Sequence, residues 1–378
     1  MRYLVLLLLL PVPAALAAQR ARDLGVPFDG TPGPLNAITD VAGVEVGHAT
    51  IIQGAGPLLV GRGPVRTGVT AVFPRGKTNG DPVFGAWFTL NGNGEMTGTA
   101  WVEESGFLAG PVLITNTHSV GVVRDAVIEW LVQHGYEFDW SLPVVAETWD
   151  GALNDINGFH VTKRHAFQAL DSARGGPVAE GNVGGGTGMI CHQFKGGIGT
   201  ASRRLTAAAG GYTVGVLVQC NYGRRSRLSI AGVPVGREIS DALPCYEGAP
   251  RCVDEERGSI IIVIATDAPL LPHQLERLAT RASLGVGRLG GTGGNSSGDI
   301  FIAFSTANPG AARPDGTAPL TMLPNERIDP LFDATIQATE EAIVNAMIAA
   351  RTMTGANGLR VTALPHERLR AVLRKYNR

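Results

Sequence analysis

Charge is scarce in this chain and favours neither sign: Lys, Arg, Asp and Glu make up 17% of 378 residues, and the formal net charge is -1. The basic residues are dispersed, with only short pairs such as Arg203-Arg204 and Arg224-Arg225. The electrostatic footprint of a nucleic-acid binder is therefore absent, and no nucleic-acid partner is expected. No apolar run reaches the ~20 residues needed to span a bilayer. Cysteines number four, Cys191, Cys220, Cys245 and Cys252, and none has metal-ligand spacing. The glycine run at 184–188 lacks a following Lys-Ser/Thr, so it reads as a tight loop and not as a phosphate cradle. No repeat, low-complexity tract or linker divides the chain, which predicts one domain over residues 19–378.

What is present is apolar and glycine-rich: 44% hydrophobic residues and 51 glycines, the composition of a loop-rich α/β protein with a large core. Short apolar runs at 70–73, 86–90, 112–115, 144–148, 212–219, 260–266 and 301–306 predict strands. Helical patterns cover 122–134, 269–283 and 330–353. In the last, Asp329 is placed to cap, Pro330 suits the first turn, Ile336, Ile343 and Met347 form a stripe, and Gly355 is placed to end it.

The first residues have the build of a secretory signal peptide: Arg2, an apolar stretch at 4–10, and a small-x-small pattern at Ala15-Leu16-Ala17. A periplasmic or secreted location is expected, with no membrane contact once residues 1–18 are removed. In that oxidising setting Cys245 and Cys252, which flank a turn-rich loop, are expected to pair, while Cys191 and Cys220 are either buried thiols or a second bridge.

The most informative junction is Gly258-Ser259, set between the charged run 254–257 and the apolar strand signal at 260–266. A serine hydroxyl can attack the preceding glycine carbonyl. Cleavage there would leave Ser259 as a new N-terminus carrying a nucleophile and, in its α-amine, a base titrating near ~8. The strand, helix and strand that follow form a β-α-β unit, whose crossover makes its two strands parallel. Ser259 then starts one strand, and Ser296-Ser297-Gly298-Asp299 starts the other beside it, offering a hydroxyl and a carboxylate to the nucleophile.

The stretches TLNGNGEMTG (89–98), AETWDG (146–151), GGGTGM (184–189), VQCNYG (218–223) and SSGD (296–299), in that order with Gly258-Ser259 before the last, resemble the L-aminopeptidase/D-amidase/D-esterase family, which includes the β-peptidyl aminopeptidases. The resemblance implies an α/β/β/α sandwich, layered like the N-terminal nucleophile hydrolases but differently connected, and shared in outline with ornithine acetyltransferases. It implies self-cleavage into 19–258 and 259–378, and homo-oligomers of the processed protomer. The activity implied is release of N-terminal residues from small peptides, amides or esters without a cofactor or metal. By the same resemblance Ser259 is the nucleophile, Asn221 an oxyanion donor, Glu147 the receiver of the substrate amine, and Ser297 with Asp299 a supporting Ser-x-acid element. Asn91 and Asn93 are expected to line the pocket. Trp149 stands where relatives carry a tyrosine, so the contribution of a phenol there is in doubt. Two other readings fit the residues less well: acyl transfer of the ornithine-acetyltransferase kind, where threonine serves as nucleophile, and a non-catalytic periplasmic binding protein.

Overall fold

The structure, a computed structural model, describes residues 19–241, 243–246, 252 and 258–378. The signal-peptide expectation for residues 1–18 and the charged run before Gly258 lie outside the described residues. Two sheets face each other. One has four strands, in the order Glu45–Gln53, Val65–Phe73, Val112–Asn116, Val144–Thr148. The other has six: Phe107–Leu108, Val83–Thr89, Asp299–Ser305, Ser259–Thr266, Thr213–Asn221 and Gly197–Arg204.

Side-chain alternation sorts the core into layers. Ile261, Val263 and Ala265 join Leu217, Ile300 and Ile302 between the sheets, against Val46, Val72, Ile114 and Ala146 of the smaller sheet. Their neighbours Ile260, Ile262 and Ile264 point the other way, onto Leu275, Leu278 and Ala282 of helix Pro272–Arg288 and Ile343 and Met347 of helix Asp329–Ala349. The smaller sheet packs its outer face on helices Val120–Gln133 and Lys163–Asp171. Helix, sheet, sheet and helix thus form four layers, the α/β/β/α sandwich expected. A strand buried on both faces favours apolar residues at successive positions, which is why residues 260–265 read as an unbroken run.

The β-α-β expectation holds: Ser259–Thr266 and Asp299–Ser305 pair in parallel, Ile260 opposite Asp299. Both disulfides are present, Cys245 with Cys252 and Cys191 with Cys220. Other boundaries differ. The helix expected from 269 starts at Pro272, where the Gln274 side chain accepts from the Leu271 N–H and closes the first turn. Asp329 is the first residue of its helix and makes no side-chain cap, and that helix ends at Ala349, so Gly355 lies beyond it in a short strand-turn segment. Asn221 and Asp299 sit inside their strands, not after or before them.

Candidate active site

The ends of the central strands bring Ser259, Asn221 and Asp299 together. Ser259 is the first residue of its strand, opposite Asn221 in the antiparallel direction, and its neighbour Ile260 is opposite Asp299 in the parallel one. All three are buried, as are Ser297 and Glu147. The Gly298 N–H donates to the Ser259 Oγ at 3.1 Å. Ser297 donates its hydroxyl to Asp299 Oδ1 at 2.6 Å, and the same oxygen accepts from the Ile260 N–H at 3.2 Å. The acid therefore sits one residue along from the Ser259 nitrogen, in the neighbourhood of the nucleophile.

Asn221 is held in one orientation by two backbone groups. Its Oδ1 accepts from the Ile190 N–H at 2.7 Å, and its Nδ2 donates to the Trp149 carbonyl at 2.9 Å. That fixes the amide with its nitrogen toward Gly258. A Cβ on Gly258 would lie 3.3 Å from Nδ2 and 1.6 Å from the Asn221 carbonyl oxygen, so only glycine permits the backbone to pass here. The Cys191–Cys220 bridge ties the Ile190 turn to the strand that ends in Asn221.

Glu147 enters from the other sheet. Strand Val144–Thr148 runs parallel to Val112–Asn116, with Glu147 opposite Thr115. Its Oε1 accepts from the Glu95 N–H at 3.1 Å, and Thr117, just past the neighbouring strand, donates its hydroxyl to Oε2. Burial raises the Glu147 carboxyl above its ordinary range, while these two hydrogen bonds pull it back down. A cavity of about 330 Å³ joins Glu147 to Ser259, lined also by Asn93, Thr117, Trp149, Gly258 and Ser296. This is near the lower end of ligand-pocket volumes and suits a small molecule.

Asn93 lines that cavity and donates from its amide to the Ser296 carbonyl at 2.8 Å. Asn91 stands behind it and braces Asp299 instead, its Nδ2 on Asp299 Oδ2 at 3.0 Å and its Oδ1 accepting from the Asp299 N–H at 2.6 Å. The buried run Gly184–Gly188 packs against the smaller sheet and leads directly into Met189 and Ile190. Among the described residues no group of three or more His, Cys, Asp or Glu is placed to hold a metal ion.

Sequence reasoning missed Thr117, the Gly298 N–H and the Ile190 N–H. Thr117 carried a faint signal, since it follows directly on an apolar strand whose end forms the site. The other two are backbone donors, which no residue identity announces. It also missed Lys195, wholly buried, whose Nζ donates to the carbonyls of Gly186, Met189 and Gly196 at 3.3, 2.7 and 2.8 Å and so holds the turn that presents Ile190. Next to Trp149, Asp150 is wholly buried with Oδ1 accepting from Asn154 at 3.0 Å, and burial pushes its carboxyl up to about 7.

Comparison with known proteins agrees with this arrangement. The description "Peptidase family S58" matches residues 36–361. A β-peptidyl aminopeptidase, BapA of Sphingosinicella microcystinivorans, is 56% identical over 98% of this chain and 96% of its own length. The solved L-aminopeptidase D-Ala-esterase/amidase of Ochrobactrum anthropi, described as a variant of the Ntn-hydrolase fold, superposes with a TM-score of 0.87 at 52% identity, over 95% of this chain and 99% of that one. A β-aminopeptidase from Burkholderia sp. gives a TM-score of 0.85 at 49% identity, over 94% and 99%. With the match covering most of its length and relatives this similar, the chain belongs to peptidase family S58 and is a serine-type aminopeptidase with an Ntn-hydrolase-like α/β/β/α fold.

Proposed function

We propose that this aminopeptidase is a secreted precursor that cuts itself between Gly258 and Ser259 and then uses Ser259 as an N-terminal nucleophile on small peptides, amides or esters. The observation that carries this reading is the convergence on one cavity of a buried serine hydroxyl, an oriented amide donor against Gly258, and a buried carboxylate on the facing sheet.

In self-cleavage the Ser259 Oγ attacks the Gly258 carbonyl carbon. The C–O bond forms, the C–N bond breaks, and the departing nitrogen takes a proton to become the free α-amine. Water then hydrolyses the ester, leaving a Gly258 carboxylate and restoring the hydroxyl. Asn221, whose Nδ2 would lie 3.3 Å from a Cβ on Gly258, is the group we assign to steady the negative charge that gathers on the Gly258 oxygen.

In turnover the substrate ammonium pairs with Glu147, and its carbonyl carbon takes the Ser259 oxygen. The α-amine accepts the hydroxyl proton and delivers it to the leaving amine or alcohol, then activates water against the acyl-enzyme. Ser297 and Asp299 hold the start of the Ser259 strand in place. A single buried carboxylate at the cavity pairs with a free ammonium and has no such partner in a blocked or internal residue, which favours aminopeptidase substrates. The substrates in the names of its relatives, β-peptides and D-alanine esters and amides, are the natural first set to assay. The processed protomer is proposed to assemble with copies of itself and to act in the periplasm or outside the cell.

The test is intact mass and N-terminal sequencing of purified protein beside a Ser259→Ala variant. The reading expects two fragments, one beginning at Ser259, and a single uncut inactive chain in the variant. Normal processing of the variant would defeat it.

A further inference from the structure

The segment 91–97 connects the two halves of the site. At one end it is stitched to the loop that opens the Asp299 strand: Leu90 N–H to the Asp299 carbonyl at 2.9 Å, Asn93 N–H to the Ser297 carbonyl at 3.3 Å, and the reciprocal Asn91–Asp299 pair. At the other it is pinned to the Glu147 strand, through the Glu95 N–H on Glu147, the Thr97 N–H on the Val145 carbonyl at 3.0 Å, and the Thr97 hydroxyl, which accepts from Val145 N–H at 3.0 Å.

Between these anchors two glycines touch. A Cβ on Gly298 would fall 2.5 Å from Gly94 Cα, and one on Gly94 would fall 3.0 Å from Gly298 Cα and 3.3 Å from Glu147 Oε1. Gly298 is the residue whose N–H holds the Ser259 hydroxyl. The chain of contact from the amine-receiving carboxylate to the nucleophile is therefore Glu147, Gly94, Gly298, Ser259, with no side chain in the middle.

We propose that the Gly94–Gly298 contact is the spacer that sets how far the substrate's free amine lies from its scissile carbonyl, and so makes Gly94 a specificity-determining residue. This rests on the roles given above to Glu147 and Ser259. An α-residue and a β-residue differ by one methylene between amine and carbonyl, about 1.5 Å of bond length. A methyl on Gly94 meets both neighbours at distances tighter than ordinary van der Waals contact, so it forces Glu147 and Gly298 apart by several tenths of an ångström. The wider span favours the longer substrate. Glu147→Asp reaches the same end without touching the spacer, because it draws the carboxylate back by one methylene.

The experiment measures kcat/KM for the p-nitroanilides of L-alanine and β-alanine with wild type, Gly94→Ala and Glu147→Asp, with the fragment starting at Ser259 followed by mass as a check on folding and maturation. The β/α ratio is expected to rise in both variants, by roughly tenfold, the scale on which one methylene is discriminated in a pocket. An unchanged or lower ratio in a matured Gly94→Ala protein would overturn the spacer while leaving the aminopeptidase reading intact. If Gly94→Ala does not mature, Glu147→Asp tests the amine-to-carbonyl span that the spacer is proposed to set, and an unchanged ratio there overturns the proposal. A wild type that matures but cleaves free-amine and N-acetylated anilides equally well would instead remove the role of Glu147, and the spacer with it.

Discussion

Replacing Glu147 by Gln keeps the shape of the side chain and removes its charge, and the consequence can be sized from the site. Glu147 is buried, with a hydrogen bond from the Glu95 N–H that the amide oxygen can keep and one from Thr117 that the amide NH2 can replace by donating to the reoriented hydroxyl, so the fold should tolerate the change. What is lost is attraction for the substrate ammonium. Two unit charges about 4 Å apart attract by roughly 4 kcal/mol at an effective dielectric of about 20. A hydrogen bond to a charged group is worth roughly 1.5–3 kcal/mol net once water is displaced. A loss of about 2–3 kcal/mol corresponds to a fall in kcat/KM of roughly 30- to 150-fold. The fall should appear for substrates with a free amine and not for their N-acetylated forms, which never used the carboxylate. Burial raises the Glu147 carboxyl, so wild-type kcat/KM for amine substrates should climb with pH through a window above the ordinary glutamate range, and Glu147→Gln should lack that limb. Maturation at Gly258-Ser259 involves no substrate amine and should proceed normally. Steady-state assays on paired free and acetylated anilides check all of this. Equal losses on both substrates, or an unchanged pH limb, would refute the assignment.

Asn221→Ala removes the amide that lies against Gly258, and kcat is expected to fall by about 10²–10³-fold with self-cleavage slowed alongside, measured by turnover and by the rate at which the precursor band disappears. Asp150 has a folded-state carboxyl pushed up to about 7, so between its unfolded value near 4 and about 7 the unfolded chain ionises while the folded one stays protonated. Stability then falls as pH rises through that window, by about 4 kcal/mol in total, and Asp150→Asn should flatten this part of a Tm-versus-pH curve. The Cys191–Cys220 bridge closes a separation of 29 residues, and the double serine variant should lose about 3.5 kcal/mol in urea unfolding by the chain-entropy relation.

The parts of the fold legible in the sequence were those whose environment is apolar on every side. Residues 260–265 lie between two layers and are hydrophobic throughout, and helix Asp329–Ala349 is buried along most of its length. Strand Gly197–Arg204 escaped notice because two glycines and three buried polar residues, satisfied by distant partners, interrupt its apolar positions Ile198 and Ala201. Thr200 donates to the Val216 carbonyl, Ser202 to Asp40, and Arg203 pairs with Glu341. Nothing local signals that such a segment is a strand. Strand Glu45–Gln53 was missed for a related reason, since its outer end turns exposed and breaks the alternation.

At the site the same division holds. Ser259, Asn221, Glu147, Ser297 and Asp299 were named from motifs; the parallel pairing of the β-α-β unit sets Ser259 beside Ser297 and Asp299, an antiparallel pairing adds Asn221, and the facing sheet brings Glu147. Asn91 bears a different burden from the one expected, bracing Asp299 from behind while Asn93 alone lines the cavity. The contributions of Gly298, Ile190 and Glu95 are backbone N–H groups, whose direction is a property of the folded path and not of the residue type.

The central claim is that Ser259 carries the acyl group. The direct measurement is to mix mature protein with a slowly hydrolysed alanine ester, quench in acid, and locate the added mass by peptide mapping. The account predicts one alanyl adduct on the fragment that begins at Ser259, at its first residue. An adduct on Ser297 instead, or turnover with no adduct on that fragment under conditions where acylation outpaces hydrolysis, would contradict it.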